Sequence, residues 1–304
     1  MSLQPPNAEP SLRGRIGRDA RSGHHPVPHR YRLHLALSCP RCLGLAVTHS
    51  LLGPDAAVRV SLLPAVPDAP DGEYAALRPL YEASAHRHRG PAVAPVLSDD
   101  WTGRIVSTHA PGILADLVRR FGGAEGSPLA PLTRGAERES EEVGRLCGRG
   151  IAAAAQRAGE PGAGEGDRER ALATLLDSLG TLERRLAHDT HVLGDRLTVA
   201  DVRVWVTLVQ LDTVHRWHLD ASAVHRVTAH PHLWAYARRL AAHPAFGGNL
   251  DLDGIARRHH ARCRGEEAAG AAVRIVDWEA HLPGRAGNAE RAASARDAAH
   301  RTAR

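Results

Sequence analysis

Two cysteines three residues apart, Cys39 and Cys42, stand where the alternating segment of "RYRLHLALSCPRCLGLAVTHSLL" (30–52) gives way to a helical pattern. A thiolate is the nucleophilic form of cysteine, and the free N–H groups and dipole at a helix start favour an anion. Arg41 adds a positive charge within a turn. Both effects lower the Cys39 pKa below about 8.5, the ordinary thiol value. Pro40 suits the first helical position, where its missing N–H has no partner to lose. A buried free Cys acting as a small hydrophobe is the bland alternative for Cys39. Cys42 lies one turn on, on the same face and within disulfide reach. It reads equally as a resolving thiol or as an alanine-sized filler.

Other chemistry is sparse. The remaining cysteines, Cys147 and Cys263, have no second Cys pair beside them, and "RRHHARC" (257–263) lies more than 200 positions from Cys42. No metal is therefore expected. All 39 basic residues are Arg, so no Lys is present to form a Schiff base or clamp a phosphate. This bias and the frequent Ala point to GC-rich coding, which also inflates the His count of 20. The net charge of +5 comes from Arg in the first 30 and last 24 residues, and the middle is close to neutral. A nucleic-acid face would belong on the folded part, so none is expected. No stretch of 18 apolar residues and no apolar leader occur, so neither a membrane span nor secretion is expected. A cytoplasmic location is the default. There a Cys-x-x-Cys reads as redox or metal chemistry, not as a structural disulfide.

The elements that must position Cys39 follow from periodicity. Tyr31, Leu33, Leu35 and Leu37 alternate with Arg32, His34 and Ala36, which predicts a strand over 31–37. A helix is predicted over 41–52 and a second strand over 56–63. "APVLS", "DDWTG" and "RIVST" (94–108) read as strand, turn and strand, and "GILADLVRRFGG" (112–123) as a helix closed by glycines. This order, with Cys-x-x-Cys at the first strand-to-helix turn, is thioredoxin-like. The predicted division is a lead-in 1–29, a thioredoxin-like domain 30–123, a linker 124–135, an all-helical domain 136–282 and a disordered tail 283–304. Within the helical part "RERALATLLDSLGTLERRLAH" (168–188) is a long amphipathic helix. Thr198 and Asp201 are spaced as a capping box, and Val202, Trp205, Val206 and Val209 follow as a core stripe. Asp201 therefore reads as structural.

An α/β thioredoxin-like unit followed by an all-α domain holding "GDRLTVAD" (194–201) resembles the soluble glutathione transferases. Over roughly 11–282 the chain is most similar to their glutathionyl-hydroquinone reductase branch. The similarity runs through "LRPLYEAS" (77–84), "VAPVL" (93–97), "TGRIVS" (102–107), "TLVQLDTVHRWHL" (207–219), "HPHLWAYARRL" (230–240) and "LDLDGIARRHH" (250–260). The resemblance implies that Cys39 attacks the sulfur of a glutathionyl hydroquinone, releases the hydroquinone and is left as a mixed disulfide. A second thiol then frees it. It implies that Pro95 is the family's cis-proline, with the neighbouring Ala94 backbone and Arg41 beside the thiol. It places His109-Ala110 where the branch carries a Glu-Ser pair for the γ-glutamyl group, Ser98 at a Trp position, and His215 and His260 at two Tyr positions of the quinone pocket. The motif is Cys39-Pro40-Arg41-Cys42-Leu43-Gly44, where the branch typically reads Cys-Pro-Trp-Ala-His-Arg.

The function so implied is that of a thiol-dependent oxidoreductase or transferase. Its co-substrate would be glutathione or another low-molecular-weight thiol. Mycothiol enters because GC-rich coding is common among bacteria that use it. The partners would be that thiol and a quinone or aromatic adduct, and the assembly a homodimer. Two alternatives stay open: a dithiol glutaredoxin-like disulfide reductase using Cys39 and Cys42, and a non-catalytic binding protein of the same fold.

Overall fold

In a computed structural model of the chain, the described residues are 12–17, 23–53, 57–85, 88–122, 129, 134–263 and 267–283. The expected linker 124–135 and tail 283–304 fall almost wholly outside them. The polar lead-in forms two short parallel strands, β1 (Arg15–Ile16) and β2 (Gly23–His24). β1 is held by Asp116, which accepts from the Arg15 guanidinium at 2.6 Å and from the Ile16 N–H at 2.9 Å. Gly14 is required beside it, because a Cβ there would lie 2.5 Å from the Val106 carbonyl oxygen.

Strand β3 (Tyr31–Leu35) follows, with Tyr31, Leu33 and Leu35 fully buried on one face. Helix α1 (Pro40–Leu51) starts at Cys39, whose extended backbone (φ −93°, ψ 126°) makes it the N-cap. Strand β4 (Val58–Leu62), helix α2 (Arg78–Ser84), strands β5 (Val96–Asp99) and β6 (Arg104–Ser107) and helix α3 (Ala110–Asp116) come next. α3 runs into a π-helical turn, Leu117–Phe121. The sheet order is β4-β3-β5-β6, with β3 and β4 parallel and the other two pairs antiparallel. Observed strands are one to three residues shorter than the alternation predicts, since Ala36 to Ser38 already turn toward α1.

The helical part opens with α4 (Arg134–Arg145), which continues through a π-helical stretch (Leu146–Ala152) into α5 (Ala153–Ala158). Then come α6 (Glu165–Leu186), α7 (Val199–Thr213), a 3₁₀ turn (His215–His218), α8 (Ala221–Thr228), α9 (Pro231–Ala241), α10 (Pro244–Gly247) and α11 (Leu252–Cys263). The capping box of α7 is present, and Asp201 is fully buried. Its carboxylate accepts from the N–H and hydroxyl of Thr198, the Val192 N–H and the Tyr236 hydroxyl. Trp205 lies beneath, edge-on to Phe246 and Trp278. No described helix is long and apolar enough to cross a membrane.

The described residues divide into two compact units. One holds those up to 129 together with 251–262, and the other holds 134–250, 263 and 267–283. The predicted helical domain 136–282 groups most of α11 with the helices, whereas 251–262 cluster with the thioredoxin-like unit. A Cβ on Gly254 would stand 2.9 Å from the Ala65 side chain, and Arg258 donates to the Ala65 carbonyl.

Candidate active site

Strand polarity brings the motif together. In the β3–β5 register His34 faces Val96, so the end of β3, which leads to Cys39, lies beside the start of β5, which follows Ala94-Pro95. Leu97 faces Ser107, so β6 also ends there, just before His109-Ala110. One end of the sheet therefore carries Cys39, Arg41, Cys42, Ala94, Pro95, His109 and Ala110. The Ala94–Pro95 peptide is cis. Tyr81 steadies the preceding loop by donating to the Val93 carbonyl at 2.8 Å. Trp101 belongs to the opposite end of β3, because Tyr31 pairs with Asp99. It is exposed, with the Arg30 guanidinium 4.7 Å from its ring. Ser98 lies 3.0 Å from the His34 ring.

The two cysteines are free and buried, Cys39 6% exposed and Cys42 fully enclosed. The Cys42 S–H donates to the Cys39 sulfur, and this lowers the Cys39 pKa well below the usual thiol value against the opposing effect of burial. The N–H groups of Cys42 and Arg41 and the guanidinium of Arg258 add to the lowering. Cys42 is raised for the complementary reason: it is the donor, it is buried, and it faces the Cys39 anion. Within the pair, Cys39 carries the charge and Cys42 the proton.

The sequence expectation gave the nearby positive charge to Arg41. Its side chain is exposed, and it acts on Cys39 through its backbone N–H. The cation is Arg258, from α11. Arg258 is aimed by two contacts, donating to the Tyr74 hydroxyl at 2.7 Å and to the Ala65 carbonyl at 3.4 Å. The same carbonyl accepts from the hydroxyl of Ser38, the residue before Cys39, at 2.5 Å. Tyr74 is buried, and burial raises its pKa, so it stays a neutral phenol. Tyr74 and Arg258 are 184 residues apart, and no local pattern marks either one.

His109 is the N-cap of α3, and its Nδ1 accepts from the Gly112 N–H at 3.2 Å. Pro111 has no N–H, so the first turn of α3 offers a ligand little beyond the Ala110 N–H. Of the two residues predicted for the aromatic pocket, His260 is exposed on α11 in the first unit, and half-buried His215 begins the 3₁₀ turn of the second.

Residues 165–239 match the family model described as the glutathione S-transferase C-terminal domain. The glutathionyl-hydroquinone reductase PcpF of Sphingobium chlorophenolicum is 27% identical over 258 residues, covering 78% of this chain and 79% of that one. The chain is thus similar in sequence to the glutathione transferases. A second glutathionyl-hydroquinone reductase, YqjG of Escherichia coli, is 24% identical over 271 residues, covering 82% of this chain and 80% of its own. The glutathione-bound structure of YqjG superposes with a TM-score of 0.67 at 23% identity, covering 82% and 85% of the two chains. The glutathione S-transferase Xi of Phanerochaete chrysosporium superposes with a TM-score of 0.73 at 22% identity, covering 91% and 94%. The chain shares their fold, a small mixed-sheet domain and a helical domain, and its first helix starts at a Cys-Pro-Arg-Cys sequence.

Proposed function

We propose that this protein is a cysteine-based reductase of thioether adducts between a small thiol, glutathione or an analogue, and a hydroquinone. The curated relatives are named for that reaction. The observation that carries it is the thiolate assigned to Cys39 at the start of α1, with Cys42, the first-turn N–H groups and Arg258 favouring the anion. Cys39 attacks the sulfur of the adduct and forms an S–S bond as the sulfur–carbon bond breaks. The bonding pair goes to the ring carbon, which takes a proton and leaves as the hydroquinone. Cys39 then holds the small thiol as a mixed disulfide, and a second thiol displaces it. Arg41 and the Ala94-Pro95 backbone line the thiol's place, and His260, on α11 of the same unit, serves the aromatic partner. The working form is a homodimer of 32.6 kDa chains, which sedimentation tests directly.

The test of the reaction is hydroquinone release from a glutathionyl hydroquinone in the presence of glutathione. The Cys39→Ser variant is expected to lose it, because an alcohol at neutral pH cannot replace the thiolate. Release by the Ser variant at the unmodified protein's rate overturns the assignment.

A further inference from the structure

We propose that Cys42 is the resolving thiol for Cys39. It attacks the mixed disulfide, expels the small thiol and leaves a Cys39–Cys42 disulfide for an external dithiol to reduce. This rests on the thiol-transfer reading above and alters its second half, since no second small thiol has to enter.

Placement is the first support. Cys39 is the N-cap and Cys42 lies in the first turn, with its S–H already on the Cys39 sulfur. Cys42 is fully enclosed, so the sulfur within its reach is that of Cys39 and not one in solvent. A filler would need no thiol, and the other unit shows what a structural Cys looks like here. Cys147 is buried, pushed up to about 11 by its burial, and paired with the Thr207 hydroxyl.

Timing is the second. Cys42 holds its proton first because it donates to Cys39 and faces that charge. When Cys39 enters a mixed disulfide its negative charge is gone. Burial still opposes ionisation of Cys42, but the Ala36 N–H and the Arg41 charge favour it. The second thiolate thus becomes available only after the first is consumed.

The step balances. A bond forms between the Cys42 and Cys39 sulfurs as the bond from Cys39 to the small thiol breaks. The electron pair leaves on the small thiol, which takes up the proton that Cys42 loses. The protein is then oxidised by two electrons, and a dithiol reductant of the thioredoxin class returns two electrons and two protons.

The experiment uses the full chain, reduced and freed of reductant, mixed with one equivalent of glutathione disulfide, acid-quenched and weighed intact. The unmodified protein is expected to carry an internal disulfide and no adduct. Cys42→Ser and Cys42→Ala are expected to retain glutathione on Cys39, and two variants guard against a folding defect in one. An adduct that persists on the unmodified protein overturns the proposal. So does equal loss of the adduct from both variants, or no reaction with glutathione disulfide at all. A parallel arm replaces the disulfide by a glutathionyl hydroquinone. Internal disulfide in the first arm without hydroquinone release in the second refutes the reductase reading and leaves the resolving role standing. Hydroquinone release with a persisting adduct does the reverse.

Discussion

His109 already spends its Nδ1 on capping α3, and Ala110 has no hydroxyl to offer. The γ-glutamyl end of glutathione carries an ammonium and a carboxylate, which a Glu-Ser pair at these positions would bind. Losing a hydrogen bond to a charged group costs about 1.5–3 kcal/mol, or roughly one to two decades in affinity. Glutathione is therefore expected to bind weakly, and the His109→Glu/Ala110→Ser double variant to bind more tightly by about that factor. Calorimetric titration of both proteins checks this; tight binding by the unmodified protein, or no gain in the variant, means that other residues hold the peptide. At this scale the position of Cys39 at a helix start was readable. Strand alternation, a Pro at the first helical position and a Cys just before it place a thiol among free N–H groups. The Tyr74–Arg258 contact was not readable, because neither residue has a partner within its own segment.

The most strongly specified element is the start of α7. Asp201→Ala removes the cap, at about 0.5–2 kcal/mol. It also strips a buried acceptor from the Val192 N–H and the Tyr236 hydroxyl, at about 1–3 kcal/mol for each group left unpaired. The expected outcome is a large drop in denaturant midpoint with Cys39 reactivity intact in the fraction that stays folded. Unchanged stability with lost activity would instead make Asp201 a site residue. The box was visible from spacing alone, and so was the core stripe behind it. The lead-in strand β1 was not, because a two-residue strand has no periodicity. Its order comes from Asp116, 100 positions away, and from the room at Gly14.

On the scale of the molecule, α11 supplies the thioredoxin-like unit with its cation. Arg258→Gln is expected to raise the pH midpoint of Cys39 alkylation by up to about one unit, since an opposing charge has been removed from beside the thiolate. An unchanged midpoint would leave the Cys42 S–H and the first-turn N–H groups as sufficient. In the helical unit, Arg216 is buried against Asp212 and donates to the Ala271 and Val273 carbonyls. Asp212 in turn accepts from the Val276 N–H and the Trp278 indole. Asp212→Ala leaves that guanidinium without its counter-charge and is expected to cost about 3–5 kcal/mol. It should expose 269–281 to limited proteolysis, and resistance equal to the unmodified protein would contradict the clamp. The two-part architecture was readable from the order of element types. The return of α11 was not, because its sequence marks a helix with one buried face but not what that face packs against.

The central claim is that Cys39 is the thiolate of the pair, and its alkylation by iodoacetamide as a function of pH, followed site by site by mass spectrometry, tests it most directly. A depressed pKa means that the anion is lost only as the pH falls through the folded value. The Cys39 rate should therefore level off well below the ordinary thiol midpoint of about 8.5, with Cys42 unmodified throughout. A Cys39 midpoint at or above that value, or faster alkylation of Cys42, would contradict it.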